Sequence, residues 1–151
     1  MNYIREAENR LRYYRDLQGS IDEMHRRIGR LVGKAGPSSL TAINLDETGI
    51  KSGHYDETIN IIHEIQTLQK SIERTKDEID EIHQILNEIS QEPKCELYGM
   101  VLRKWYIEHV PKERIAHDLQ YSSIQTVYSI KNKAIRKFAV RLFGIDSLNV
   151  V

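Results

Sequence analysis

Cysteine is almost absent from this chain of 151 residues: Cys95 stands alone, so no internal disulfide can be formed and stability must come from packing. Long apolar runs are missing as well, and none approaches the roughly 20 residues that a membrane span requires. The opening MNYIREAENR enters directly into a charged pattern without an apolar signal segment, and the expected setting is a reducing cytoplasm. No glycine-rich loop of the kind that cradles phosphates occurs. Net charge is also lacking, because 22 Lys and Arg offset 22 Asp and Glu. The length leaves room for one compact domain or two small ones with modest cores.

Neutrality over the whole chain hides polarised parts. Residues 1–34 hold eight basic side chains against five acidic, 35–55 one against two, 56–92 three against ten, and 93–151 ten against five. In IAHDLQYSSIQTVYSIKNKAIRKF, residues 115–138, no acidic side chain follows Asp118. A basic share gathered at one end implies a part built for an acidic partner.

The acidic stretch carries a regular seam. Thr58, Ile61, Ile65, Leu68, Ile72, Thr75, Ile79, Ile82, Leu86 and Ile89 recur at alternating steps of three and four, which predicts a long helix over about 56–91, stopped by Pro93. A first amphipathic helix, about 2–34, has the stripe Ile4, Ala7, Leu11, Tyr14, Leu17, Ile21, Met24, Ile28 and Leu31, with one short step at Leu17, and Gly33 and Gly36-Pro37 end it. Between them, 35–55 is rich in Ser, Thr and Gly without periodicity, and an exposed loop is expected. The two helices would fold as an antiparallel hairpin, since a basic-leaning and an acidic partner flank one apolar seam. A parallel homodimer through the second helix is the competing arrangement, opposed by its own negative excess.

After Pro93 shorter helices are expected. CELYGMVLRKWYIEH places Leu97, Met100 or Val101, Trp105 and Tyr106 on one face, with Trp105 assigned to the core, and Val110-Pro111 interrupts it. Pro111 suits a helix start, with Ile115, Ala116 and Leu119 turned inward. QYSS forms a short break, and Ser122 or Ser123 can cap a last helix whose inward face is Val127, Ile130, Ala134, Phe138 and Leu142, with Gly144 as its stop. The expected fold class is thus all-α: a helical hairpin over 1–92 and a helix-turn-helix domain over 93–151, whose second helix would enter a DNA major groove.

In the usual register the first core residue of the recognition helix lies ten positions after the small residue at Ala116, but Val127 lies eleven away. One residue is added near Gln120-Tyr121-Ser122, and Gln120 stands where glycine is common. With Val127 and Ile130 inward, Ser123, Ile124, Gln125, Tyr128, Ser129 and Asn132 become candidates for base contact; Gln and Asn can pair bidentately with adenine, and Ile124 can meet a thymine methyl. Lys112, Arg114, Ser122, Thr126, Lys131, Lys133, Arg136 and Lys137 are the phosphate-contact candidates, which supply affinity rather than sequence choice.

The run LYGMVLRKWYIEHVPKERIAHDLQYSSIQTVYSIKNKAIRKFA resembles the C-terminal helix-turn-helix of phage late-gene activators of the RinA/ArpU type, itself similar to the fourth region of bacterial sigma factors. The matching pieces are KWYI at 104–107, IAHDL at 115–119, the S-x-x-TVY-x-IK-x-KA pattern at 123–134 and the basic continuation IRKF. The resemblance covers about 50 residues and implies a regulator in a bacterial host cell, with double-stranded DNA as partner, host RNA polymerase as a second, and no cofactor; a homodimer stays open.

Enzyme chemistry is not expected. Cys95 has no histidine partner in sequence and reads as a free structural thiol. Asp22-x-x-His25 and Asp80-x-x-His83 have a spacing found in di-metal bundles, but they lie beside the apolar stripes rather than in them, so no metal site is assigned. His63, His109 and His117 are scattered and read as surface or boundary residues. The alternative function is a helical adaptor or antirepressor that binds protein through the coiled seam, and a ligand of RNA polymerase that never touches DNA alone is a third. A steep fall of DNA binding with salt would separate the first reading from the adaptor.

Overall fold

The first helix starts where Asn2 accepts a hydrogen bond from the Arg5 N–H at 3.0 Å, satisfying one of the amides a helix start leaves open. In the computed structural model, which describes residues 1–36, 52–120 and 123–148, this helix is α1 (Tyr3–Arg12) and is followed by α2 (Tyr14–Ala35), α3 (Ser52–Gln91), α4 (Tyr98–Leu102), a π-helical turn (Arg103–Ile107), α5 (Lys112–Asp118), α6 (Ile124–Phe143) and a short 3₁₀ turn (Gly144–Leu148). The described chain is all-helical, with no strand. None of its helices is long and apolar enough to cross a membrane.

The helix expected over 2–34 is broken at Tyr13, just ahead of the short step in the stripe. The short step itself, from Tyr14 to Leu17, lies within α2, and Tyr13 closes α1 with its N–H bonded to Asn9 O at 2.9 Å. Gly33 does not end α2; Gly36 does, at φ 69°, in the left-handed region that glycine enters without strain. The long helix begins at Ser52 rather than 56, while residues 37–51 of the expected loop lie outside the described residues. Its end is as expected, with three-residue turns from Ile89 to Glu92 and from Glu92 to Cys95 around Pro93.

Two compact units form, Leu17–Asp77 in one and Met1–Asp16 with Glu78–Val151 in the other. The first contains most of α2 and the leading part of α3. Met24, Ala35, Thr58, Ile61 and Ile72 are buried there, and the other stripe positions are half-buried. Along α2, Glu23 pairs with Arg26 at 2.8 Å and Arg30 at 3.2 Å, and the hydrogen bond from Arg26 followed by that from Arg30 lowers its carboxyl below the ordinary range.

The second unit is not bounded at 92/93. α1 packs on α6 and on the π-helical turn, so Ala7 and Leu11 are fully buried in the same unit as Phe138. Tyr3 and Phe143 lie with ring centroids 5.2 Å apart, the Tyr106 hydroxyl donates to Glu8 at 2.8 Å, and Arg10 pairs with Glu78 at 2.7 Å. Where α4 crosses α3 the backbones approach closely: a Cβ on Gly99 would fall 2.6 Å from the Leu86 carbonyl oxygen. In α4, Val101 and Leu102 are buried and Met100 faces out, which decides the open choice between Met100 and Val101.

Candidate nucleic-acid interface

The local core that fixes α5 against α6 consists of Val101, Ile115, Ala116 and Val127, with Trp105, Val110, Leu119 and Ile130 packed around it. These include the residues whose periodicity predicted an inward face. Ala116 is small enough to sit at this contact, and Ala134 and Phe138 continue the buried side of α6, widened by Ile135 and Ala139. Pro111 precedes α5, and Ser123 caps α6 by accepting a hydrogen bond from the Gln125 N–H at 3.1 Å. Ser122, the other capping and phosphate-contact candidate, lies outside the described residues together with Tyr121. Gln120 takes a left-handed φ of 59°, so the backbone at this position adopts the conformation for which glycine is usually chosen.

With its core face pinned, α6 turns a defined stripe outward. Gln125, Ser129, Asn132 and Arg136 follow one another at steps of three and four, all exposed, with Lys133 beside them. Ile124 is 37% exposed at the leading end. Ser123 and Thr126 are half-buried, and the Ser123 hydroxyl oxygen already serves the cap. Lys112 and Arg114 are exposed on α5. Among the described residues Lys112, Arg114, Lys131, Lys133 and Arg136 have no ion-pair partner, so their charge is available to an external anion.

Two candidates are placed differently. Lys137 pairs with Glu92 at the end of α3, where Arg141 also reaches Glu92 at 2.7 Å and Glu88 at 3.1 Å; its charge is spent within the fold. The hydrogen bond from Lys137, then that from Arg141, holds the Glu92 carboxyl below its ordinary range. Tyr128 is half-buried, its hydroxyl bonded to the Lys112 ammonium and its ring edge-on to Trp105 with centroids 5.0 Å apart. That hydrogen bond raises Lys112 above the ordinary lysine range and keeps it charged.

Sequence reasoning assigned Trp105 to the core and passed over Lys104. Trp105 is half-buried at the rim, because the π-helical turn, marked by the Glu108 N–H bonding Arg103 O at 2.8 Å, turns adjacent residues to different partners. Tyr106 faces Glu8, Trp105 faces Tyr128, and Lys104 approaches Asp118 at 3.6 Å. Arg103 donates to Nδ1 of His83 at 2.8 Å and to Asn87 at 2.6 Å. A guanidinium can only donate, so Nδ1 is the unprotonated nitrogen and Nε2–H donates to the Tyr14 hydroxyl oxygen at 2.6 Å. Burial and then the Arg103 charge lower the His83 pKa. His25, His63, His109 and His117 are exposed, and no group of three or more His, Cys, Asp or Glu is placed to hold a metal ion among the described residues.

No protein-family model matches the chain, and neither the curated proteins nor the solved structures contain a match.

Proposed function

We propose that the chain is a sequence-specific DNA-binding regulator of transcription, with α5 and α6 as its helix-turn-helix and α6 as the recognition helix. The resemblance over about 50 residues narrows this to a phage or prophage late-gene activator that works with host RNA polymerase inside a bacterial cell. The observation that carries the reading is the outer face of α6: amide and hydroxyl side chains at Gln125, Ser129 and Asn132, flanked on two helices by cations that have no ion-pair partner among the described residues. Amides read base edges in the major groove, while the cations neutralise phosphates around it. In this reading Leu17–Asp77 is an antiparallel hairpin that touches polymerase or a second copy of the chain, and no catalysis is involved.

The test is selection of bound fragments from the DNA around the protein's own gene, at near-physiological salt with competitor DNA. A recurrent short site is expected. Replacing Gln125 and Asn132 by Ala should relax preference at particular positions, at about 1–3 kcal/mol each, whereas Lys133→Ala and Arg136→Ala should weaken binding to every sequence and reduce the salt slope by about one apiece. No enrichment, with capture of polymerase or another protein instead, would transfer the function to an adaptor acting through the hairpin.

A further inference from the structure

Lys112 and Lys131 come from different helices, yet they converge on one pair of rings. The Lys112 ammonium lies 4.9 Å from the Tyr128 ring centroid and 5.7 Å from that of Trp105; Lys131 lies 4.9 Å from Trp105 and 5.7 Å from Tyr128. The rings meet edge to face at 71°, and Trp105 is packed against the cluster of Val101, Ile115, Ala116 and Val127. The platform is therefore anchored in the core that joins α5 to α6.

What holds these ammoniums matters for what they can do. A lysine in an ion pair has its charge cancelled and must break the pair to meet an external anion, as Lys137 would have to leave Glu92. Lys131, attracted by the Trp105 ring quadrupole, keeps its full charge and free N–H donors, and Lys112 spends one donor on the neutral Tyr128 hydroxyl and keeps its charge. Neither Lys112 nor Lys131 pairs with a carboxylate among the described residues; the nearby Glu8 is already engaged by Arg12 at 2.8 Å and by Tyr106. Two lysines that share one pair of rings, with no ion pair to a carboxylate among the described residues, form a site that an anion completes.

We infer that Trp105 and Tyr128 are positioning residues that hold Lys112 and Lys131 together as a single seat for one backbone phosphate of duplex DNA. This rests on the DNA-binding reading above and adds to it a defined phosphate position and two residues that act through the lysines. It also takes Tyr128 out of base reading, because its hydroxyl and ring edge are both committed to the platform.

Trp105 is the only tryptophan in the chain, so its emission reports on the seat directly. The full-length protein is titrated with a dye-labelled mixed-sequence duplex at several salt concentrations, with dye anisotropy giving affinity and Trp105 emission read in parallel. Saturable change of emission at the same midpoint as the anisotropy is expected. Since each phosphate neutralised contributes about 0.9 to the slope of log K against log salt, one shared phosphate predicts that Lys112→Gln, Lys131→Gln and the double variant each lose about one. Tyr128→Phe, which keeps the ring and removes only the bond to Lys112, should lose part of that amount with far-UV circular dichroism unchanged. Losses that add to about two in the double variant, or DNA binding without change of Trp105 emission, would overturn the shared seat and leave the DNA-binding reading standing. Absence of any duplex binding by the wild-type chain would overturn both.

Discussion

Gln120 holds a left-handed backbone that costs a residue with a Cβ about 1–2 kcal/mol, partly offset because glycine loses more freedom on folding. Gln120→Gly should therefore raise stability by about 0.5–1 kcal/mol, measured by urea unfolding; a loss would mean that the glutamine side chain makes a compensating contact. Gly99 is the opposite case, since a Cβ there would stand 2.1 Å from Ser90 Oγ and 2.6 Å from the Leu86 carbonyl oxygen. The hydroxyl can swing aside but the helix backbone cannot, and Gly99→Ala is expected to cost about 1–3 kcal/mol in the same assay. The turn position at Gln120 was legible from spacing alone. The close approach at Gly99 was not, because no local pattern says which helix will cross another.

At the scale of elements, periodicity named most of each buried face, missing Ile135 and Ala139 on α6 and misplacing Trp105 and Tyr128, and left the partners open. The stripe of α1 reads as the start of a hairpin arm, yet Ala7 and Leu11 are buried with Phe138 in the unit that carries the candidate interface. An amphipathic stripe states that a face must be covered, not by what. Leu11→Ala should destabilise this unit by about 2–5 kcal/mol, seen as loss of the α6 amide signals at lower denaturant. A fragment of residues 93–151 lacks both α1 and the end of α3 and should show little stable helix by circular dichroism, whereas the full chain is helical. Cooperative unfolding of that fragment at a stability equal to the full chain's would remove α1 from the core assignment.

For the whole molecule, the charge division seen along the sequence is folded back on itself. Leu17–Asp77 holds nine acidic and eight basic residues, and the remainder thirteen and fourteen, so neither unit has a large net charge. The acidic end of α3 takes Lys137 and Arg141 from the far end of α6, while Lys131, Lys133 and Arg136 have no carboxylate partner among the described residues. The same contacts set the acid response. His83 has a lowered pKa, so its contribution is complete above the ordinary 6.5 and is lost as pH falls through its folded value, where a proton on Nδ1 meets Arg103. Glu92 and Glu8 are also lowered, Glu8 because hydrogen bonds from Arg12 and Tyr106 outweigh the upward push of burial, and their contributions disappear below 4.5. Melting temperature should thus fall in two stages on acidification, and His83→Gln should remove the first stage while leaving the second.

The sequence by itself determined the helical class, most of the inward faces of α5 and α6, a serine cap at Ser122 or Ser123 and the outward positions Gln125, Ser129 and Asn132. These follow from nearest-neighbour geometry along one chain, where residues three and four apart share a face. Only the tertiary structure decided that α1 joins the C-terminal unit, that Lys137 is spent on Glu92, that Trp105 and Tyr128 meet beside Lys112 and Lys131, and that His83 has its pKa lowered by burial and then by the charge of Arg103. Each of these depends on groups far apart in sequence meeting in space, and periodicity carries no information on which covered face meets which.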